Sequence, residues 1–182
     1  MSRAFLLVGG ATRAGWRWDR RPNRASAFTL IEAIISTIIV AVMFVAALNT
    51  VGAARLTQYQ ASLVSRGRLL AEALLSEILR QAYRDPDGTP VFGREANESS
   101  ATRATWDDVD DYDQLSETPP VAQDGTVLTI ATGWRRTTQV EWVDPANPAA
   151  VVGSESNAKR ITVTVTFNAV PQAVVTALRT NN

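Results

Sequence analysis

The sequence predicts an α+β fold, with one long N-terminal helix and a small antiparallel β-sheet laid over the second half of that helix. Two observations carry this. No proline stands between Pro22 and Pro86, and apolar residues in the interval recur at helical spacing. Beyond Gly88 the chain changes to short runs of alternating apolar and polar residues, separated by Pro, Gly, Asn and Asp, which is the pattern of strands and turns. A length of 182 residues suits one globular domain with an appendage and excludes a large multidomain enzyme.

The zero net charge conceals an uneven distribution. Residues 1–27 form a basic leader with six arginines and one aspartate, whereas the chain from Phe28 onward holds 12 basic and 17 acidic residues. There is no His and no Cys, which removes Ser-His-Asp triads, thiol nucleophiles, disulfides and every imidazole- or thiolate-ligated metal site. No catalytic residue is assigned, and the expectation is a protein that is not an enzyme. A secreted enzyme using carboxylates alone is the least supported class.

The helix begins with an apolar segment. Ala33 to Ala54 is 22 residues without a charge, and a helix of that length rises ~33 Å, enough to cross a bilayer core of ~30 Å. The leader arginines precede it, so the positive-inside rule places the N-terminus in the cytoplasm and the C-terminal part across the membrane. Three readings compete: a signal peptide cut near Gly52–Ala54, a twin-arginine signal at Arg20 and Arg21, and a plain single-pass anchor. The apolar run exceeds the ~7 to 15 residues of a signal peptide core, and Pro22 and Asn23 follow the arginine pair where an apolar residue is expected.

Immediately ahead of the apolar run stands Ala27-Phe28-Thr29-Leu30-Ile31-Glu32. A basic leader, a Phe, an acid at the fifth place from it and an uninterrupted apolar helix together resemble the start of type IV pilins and type II secretion pseudopilins. The resemblance implies a pilin-like fold and cleavage between Ala27 and Phe28 by prepilin peptidase, with N-methylation of Phe28. It also implies other pilins or pseudopilins, the inner-membrane assembly platform and the lipid bilayer as partners. The implied location is the inner (cytoplasmic) membrane in a single pass, then a periplasmic or extracellular filament. Two departures are the Ala27 where the family mostly has Gly, and a leader of 27 residues, which is long.

Glu32 needs a physical account, because a carboxylate at the centre of a membrane helix costs about 2.5 to 3.5 kcal/mol on insertion scales. One reading is a capping box, in which Thr29 caps the helix and Glu32 returns a hydrogen bond to the Thr29 amide. The other follows from the resemblance: Glu32 neutralises the α-amine that cleavage creates on Phe28, on its own chain or a neighbour's.

Residues 28–54 thus form the transmembrane or filament-core helix, and 55–84 its amphipathic continuation. Leu56, Tyr59, Leu63, Leu70, Leu74 and Ile78 line one face, and Arg68 and Glu72 pair at i,i+4 on the other. Asp85-Pro86-Asp87-Gly88 ends the helix. Gly52, after Asn49 and Thr50, marks either a loosened turn or the point where the helix leaves the membrane. Residues 85–182 form the exported β-sheet domain, with strands expected at Thr126–Ala131, Trp134–Val143, Arg160–Asn168 and Gln172–Leu178. Ile161 to Phe167 alternates strictly between apolar residues and threonine, so one face packs inward. Asp144 to Ser154 reads as the connecting loop, and Pro171 places the last strand at an edge.

Between Trp106 and Asp113 lie five carboxylates, Asp107, Asp108, Asp110, Asp111 and Asp113. Their density invites Ca²⁺, although the spacing is not that of an EF-hand; a solvated acidic loop is the competing reading. The run, with a later strand carrying ITVTV, also resembles D-type minor pilins of the mannose-sensitive haemagglutinin class. No other cofactor is expected. Residues 85–182 hold 14 acids against 7 bases, so nucleic acid is not an expected partner. The functional expectation is a minor pilin or pseudopilin, a structural subunit of a type IV pilus or type II secretion-like filament. The alternative is a single-pass membrane protein presenting a calcium- or partner-binding exported domain.

Overall fold

The computed structural model describes residues 28–86, 91–98, 101–129 and 132–181. Helix α1 spans Leu30–Ile78, and the chain divides into two compact units, one ending at Leu48 and the next beginning at Asn49. Thr29 starts the helix: its Oγ1 accepts the Glu32 amide at 3.3 Å, and its carbonyl accepts the Ala33 amide at 3.2 Å. The apolar window of α1 is long enough to cross a membrane, and none of it is buried. Ala, Ile and Val make up most of it, and the β-branched Ile and Val have only modest helix propensity in water. A helix with an apolar surface on all sides is suited to lipid or to other helices. The helix continues through Asn49–Gly52 without a break.

In the second unit α1 becomes amphipathic. Leu70, Ala71, Leu74 and Ile78 are buried in one core with Trp134, Val140, Ile161, Val163 and Val165. The expected apolar stripe is covered only in its later part, since Leu56 and Tyr59 are more than half exposed. Arg68 and Glu72 do pair, at 2.7 Å on the outer face. The helix stops six residues before Arg84. Turns at Leu79 to Gln81 follow it, and then the backbone of Ala82 is captured in a parallel bridge to Asp108. Backbone bonding to the acidic segment ends the helix before Pro86 is reached.

Five antiparallel strands follow: β1 (Ser116–Glu117), β2 (Trp134–Asp144), β3 (Asn147–Val151), β4 (Ala158–Phe167) and β5 (Val170–Thr180). Their order is β1-β2-β4-β5, with β3 paired to the end of β2. Trp134 opposes Phe167 and Val140 opposes Ile161, so the inward faces of β2 and β4 coincide. Ile161, Val163 and Val165 are fully buried, as the alternation requires, and β5 is an edge strand.

Two expectations are corrected. Thr126–Ala131 is not a strand as far as it is described: Gly125, at φ +86°, closes a tight turn, and Val127 makes only an isolated bridge to Val121. Ile130 and Ala131 lie outside the described residues. The loop expected from Asp144 to Ser154 contains β3, because Asp144 Oδ1 accepts the Ala146 amide at 2.9 Å and folds the chain back on β2.

Gly67 sets how closely α1 approaches the sheet. A Cβ there would stand 2.8 Å from Gln172 Cβ and 3.3 Å from the Trp134 ring, whereas one at Gly52 would meet nothing within 4 Å. Gly67→Ala therefore lowers stability, because overpacking of ~1 to 3 kcal/mol at so close a contact outweighs the ~1 kcal/mol gained in helix propensity. Gly52→Ala keeps the propensity gain alone. Thermal unfolding of the full chain in detergent should show a lower Tm for the first variant and an unchanged or higher one for the second.

Candidate functional site

The residues singled out in the sequence fall at two places. At the helix start, Phe28 is 72% exposed and Glu32 is exposed beside it. Only half of the capping box forms: Thr29 receives the Glu32 amide, but among the described residues the Glu32 carboxylate has no hydrogen-bond or ion-pair partner. Ala27, the other side of the expected cleavage bond, lies outside the described residues.

The acidic run is not a solvated loop. Asp108, Asp110 and Asp111 are each 3% exposed or less, around a short 3-10 turn at Asp110–Tyr112. Burial is possible because backbone amides supply hydrogen bonds to the carboxylates. Asp108 Oδ1 accepts the amides of Asp110 and Asp111, and Asp111 Oδ2 accepts those of Asp107 and Asp108 at 3.0 Å each. Asp110 pairs with the buried Lys159 ammonium and accepts the Gly93 amide at 3.0 Å. Lys159 also donates to the Tyr83 carbonyl and lies 4.5 Å from the centre of the Tyr83 ring. Asp113 Oδ1 accepts the Val140 amide at 2.8 Å, tying the run to β2. Burial, reinforced by the neighbouring Asp110, pushes the Asp108 carboxyl up to about 8.

The five aspartates therefore do not converge on one point, as a Ca²⁺ site built from the run alone would require. Asp111 alone turns toward further acids: one carboxylate oxygen each from Glu95, Glu98 and Asp111 lie within 4.8 Å of one another. Glu95 and Glu98 belong to a segment that reads in sequence as a polar loop. Burial, followed by the close approach of the Asp111 carboxyl, pushes Glu98 up to about 8, and burial also raises Glu95.

A second buried assembly joins α1 to the sheet. Arg103 holds Glu77 of α1 through Nε at 2.8 Å and Nη2 at 3.2 Å, and pairs through Nη1 with Glu117 of β1. Arg136 of β2 grips the other Glu117 oxygen at 2.5 and 2.9 Å, and both guanidinium groups donate to the Val121 carbonyl. The Tyr112 hydroxyl donates to Glu77 at 3.0 Å. Desolvation, followed by repulsion from Arg103, lowers Arg136 to about 10.

Apart from Glu77, which by sequence falls on the charged side of α1, none of these charged residues was singled out from the sequence, yet one signal was there. Inward Trp134 and Val140 put Arg136 on the inward face by period two, and inward Ile161 does the same for Lys159. No family model, curated protein or solved structure matches the chain.

Glu117→Gln leaves two buried guanidinium groups with one carboxylate between them, and should cost about 3 to 5 kcal/mol. Glu141 pairs with Arg160 at 2.7 Å with both side chains 23% exposed, so Glu141→Gln should cost about 1 kcal/mol or less. Urea denaturation of the two variants against the parent chain checks the contrast, and equal losses would show that Glu117 is not the anchor of the assembly.

Proposed function

We propose that this chain is a minor pilin or pseudopilin: a structural, non-enzymatic subunit of a type IV pilus or type II secretion-like filament. The observation that carries the reading is Phe28-Thr-Leu-Ile-Glu32 at the start of a helix whose apolar window is wholly unburied. Its support is the combination of that helix with an antiparallel sheet packed on the later turns of the same helix. The acidic run and the ITVTV strand also resemble D-type minor pilins. In this reading prepilin peptidase cuts between Ala27 and Phe28, Phe28 is N-methylated, and the chain waits in the inner membrane with its C-terminal domain exported. The assembly platform then draws it into a filament beside other pilins or pseudopilins.

The uncommitted Glu32 carboxylate gives the mechanism its chemistry. A new α-amine with an unperturbed pKa of ~7.7 to 8.0 is largely protonated near neutrality. Moving that charge among packed apolar helices is costly unless an anion meets it. Glu32, four residues along, supplies the anion on its own chain or on the next.

N-terminal mass spectrometry of the membrane-fraction protein should find a chain starting at Phe28 with one methyl group. A start near Arg55, with the apolar run removed, would instead establish a signal peptide and end the filament reading.

Glu32→Gln should insert into the membrane normally or slightly better, since a carboxylate is removed from an apolar setting. Its amount in sheared filaments should fall well below that of the parent chain, because the amine loses its counter-charge. Gln serves a capping box as well as Glu, so normal incorporation of Glu32→Gln would rule out amine pairing.

A further inference from the structure

We propose that Glu95, Glu98 and Asp111 form a binding site for one Ca²⁺ ion. Three carboxylates from two separate segments offer oxygens within 4.8 Å of one another, and oxygens ~2.4 Å from a common Ca²⁺ stand no more than ~4.8 Å apart. The second observation is independent of that clustering. Asp111 is 1% exposed, its Oδ2 is taken up by two backbone amides, and its Oδ1 is buried without a hydrogen-bond partner among the described residues. Glu95 Oε1 and Glu98 Oε1 are buried and unpartnered in the same way. A buried acceptor without a donor costs about 1 to 3 kcal/mol, more when charged, and here three such oxygens belong to one cluster.

The donor set selects the class of ligand. All three groups are carboxylates, which suit hard cations, and neither imidazole nor thiolate exists in the chain. Ca²⁺ fits better than Mg²⁺, because the oxygens come from an irregular segment and a turn, and Ca²⁺ accepts irregular shells of six to eight oxygens. The segment is partly organised already: Glu98 Oε2 accepts the Glu95 amide at 2.9 Å, and the Glu98 amide donates to the Glu95 carbonyl at 3.2 Å. Asp107, Asp108, Asp110 and Asp113 lie outside this set.

The test is calorimetric titration of the full chain in detergent with CaCl₂ and, separately, MgCl₂, together with thermal unfolding with and without each salt. The expected result is one Ca²⁺ per chain, weaker Mg²⁺ binding, and a Tm raised by Ca²⁺. Glu95→Gln and Glu98→Gln keep side-chain shape and should weaken Ca²⁺ binding by more than the ~10- to 100-fold typical of losing a partner that only orients a metal ligand. Asp107→Asn should bind as the parent does. In the absence of Ca²⁺, Glu98→Gln should unfold at a temperature equal to or above the parent's, because one repelling carboxylate is gone; this separates lost binding from lost folding. A parent chain that takes up no Ca²⁺ and whose Tm does not respond to it would overturn the proposal, leaving the three carboxyls to share protons instead. Binding abolished by Asp107→Asn but not by Glu98→Gln would also overturn it.

Discussion

The folded unit depends on Glu117 standing between Arg103 and Arg136. Its two oxygens each hold one guanidinium, and Arg103 carries the connection on to Glu77 of α1. The assembly joins the helix, the irregular segment around residue 103 and the first two strands, which are themselves paired through their backbones. Two cations and two anions sum to zero, so the group can lie inside without a net charge, and the Val121 carbonyl and Tyr112 hydroxyl occupy remaining hydrogen-bonding positions. Such a network is not an efficient source of stability, since desolvation offsets much of the Coulombic attraction. Its value is geometric: forked guanidinium groups accept carboxylates in few orientations, so the placement of α1 against β1 and β2 is specified more sharply than by Leu70, Leu74 and Ile78 alone.

Helix α1 meets two different surroundings, and its sequence is written for both. Through Ala54 no charge follows Glu32, and apolar residues occur on every side. After Arg55 charges appear on one face while the other closes over the sheet core, and Gly67 removes the one Cβ that would hold the helix off Trp134 and Gln172. An ordinary core helix would not need the first part, and an ordinary membrane anchor would not need the second.

The fold was largely legible because its elements obey simple periods. The proline-free helix, the alternation of Ile161 to Phe167 and the edge position of the strand containing Pro171 follow from local sequence and agree with the structure. What was not legible depended on partners distant in sequence. The end of α1 is set by the bridge from Ala82 to Asp108, which no local signal near Arg84 reveals. The aspartates of 107–113 read as solvated because charge density usually means solvent, whereas here the turn points their oxygens at its own amides. Glu95 and Glu98 gave no sign in sequence that they meet Asp111. Arg136 and Lys159 were readable in principle, as charges falling on the inward register of strands already recognised.

The two buried acidic groupings differ in a way that separates their roles. Around Glu117 each carboxylate has a guanidinium facing it, so the charges of that assembly are met from within the chain. Around Asp111 the carboxylates face one another, and no cation of the chain stands among Glu95, Glu98 and Asp111 in the described contacts. Three neighbouring carboxyls in partial burial repel one another when charged, and burial raises the Glu98 carboxyl to about 8.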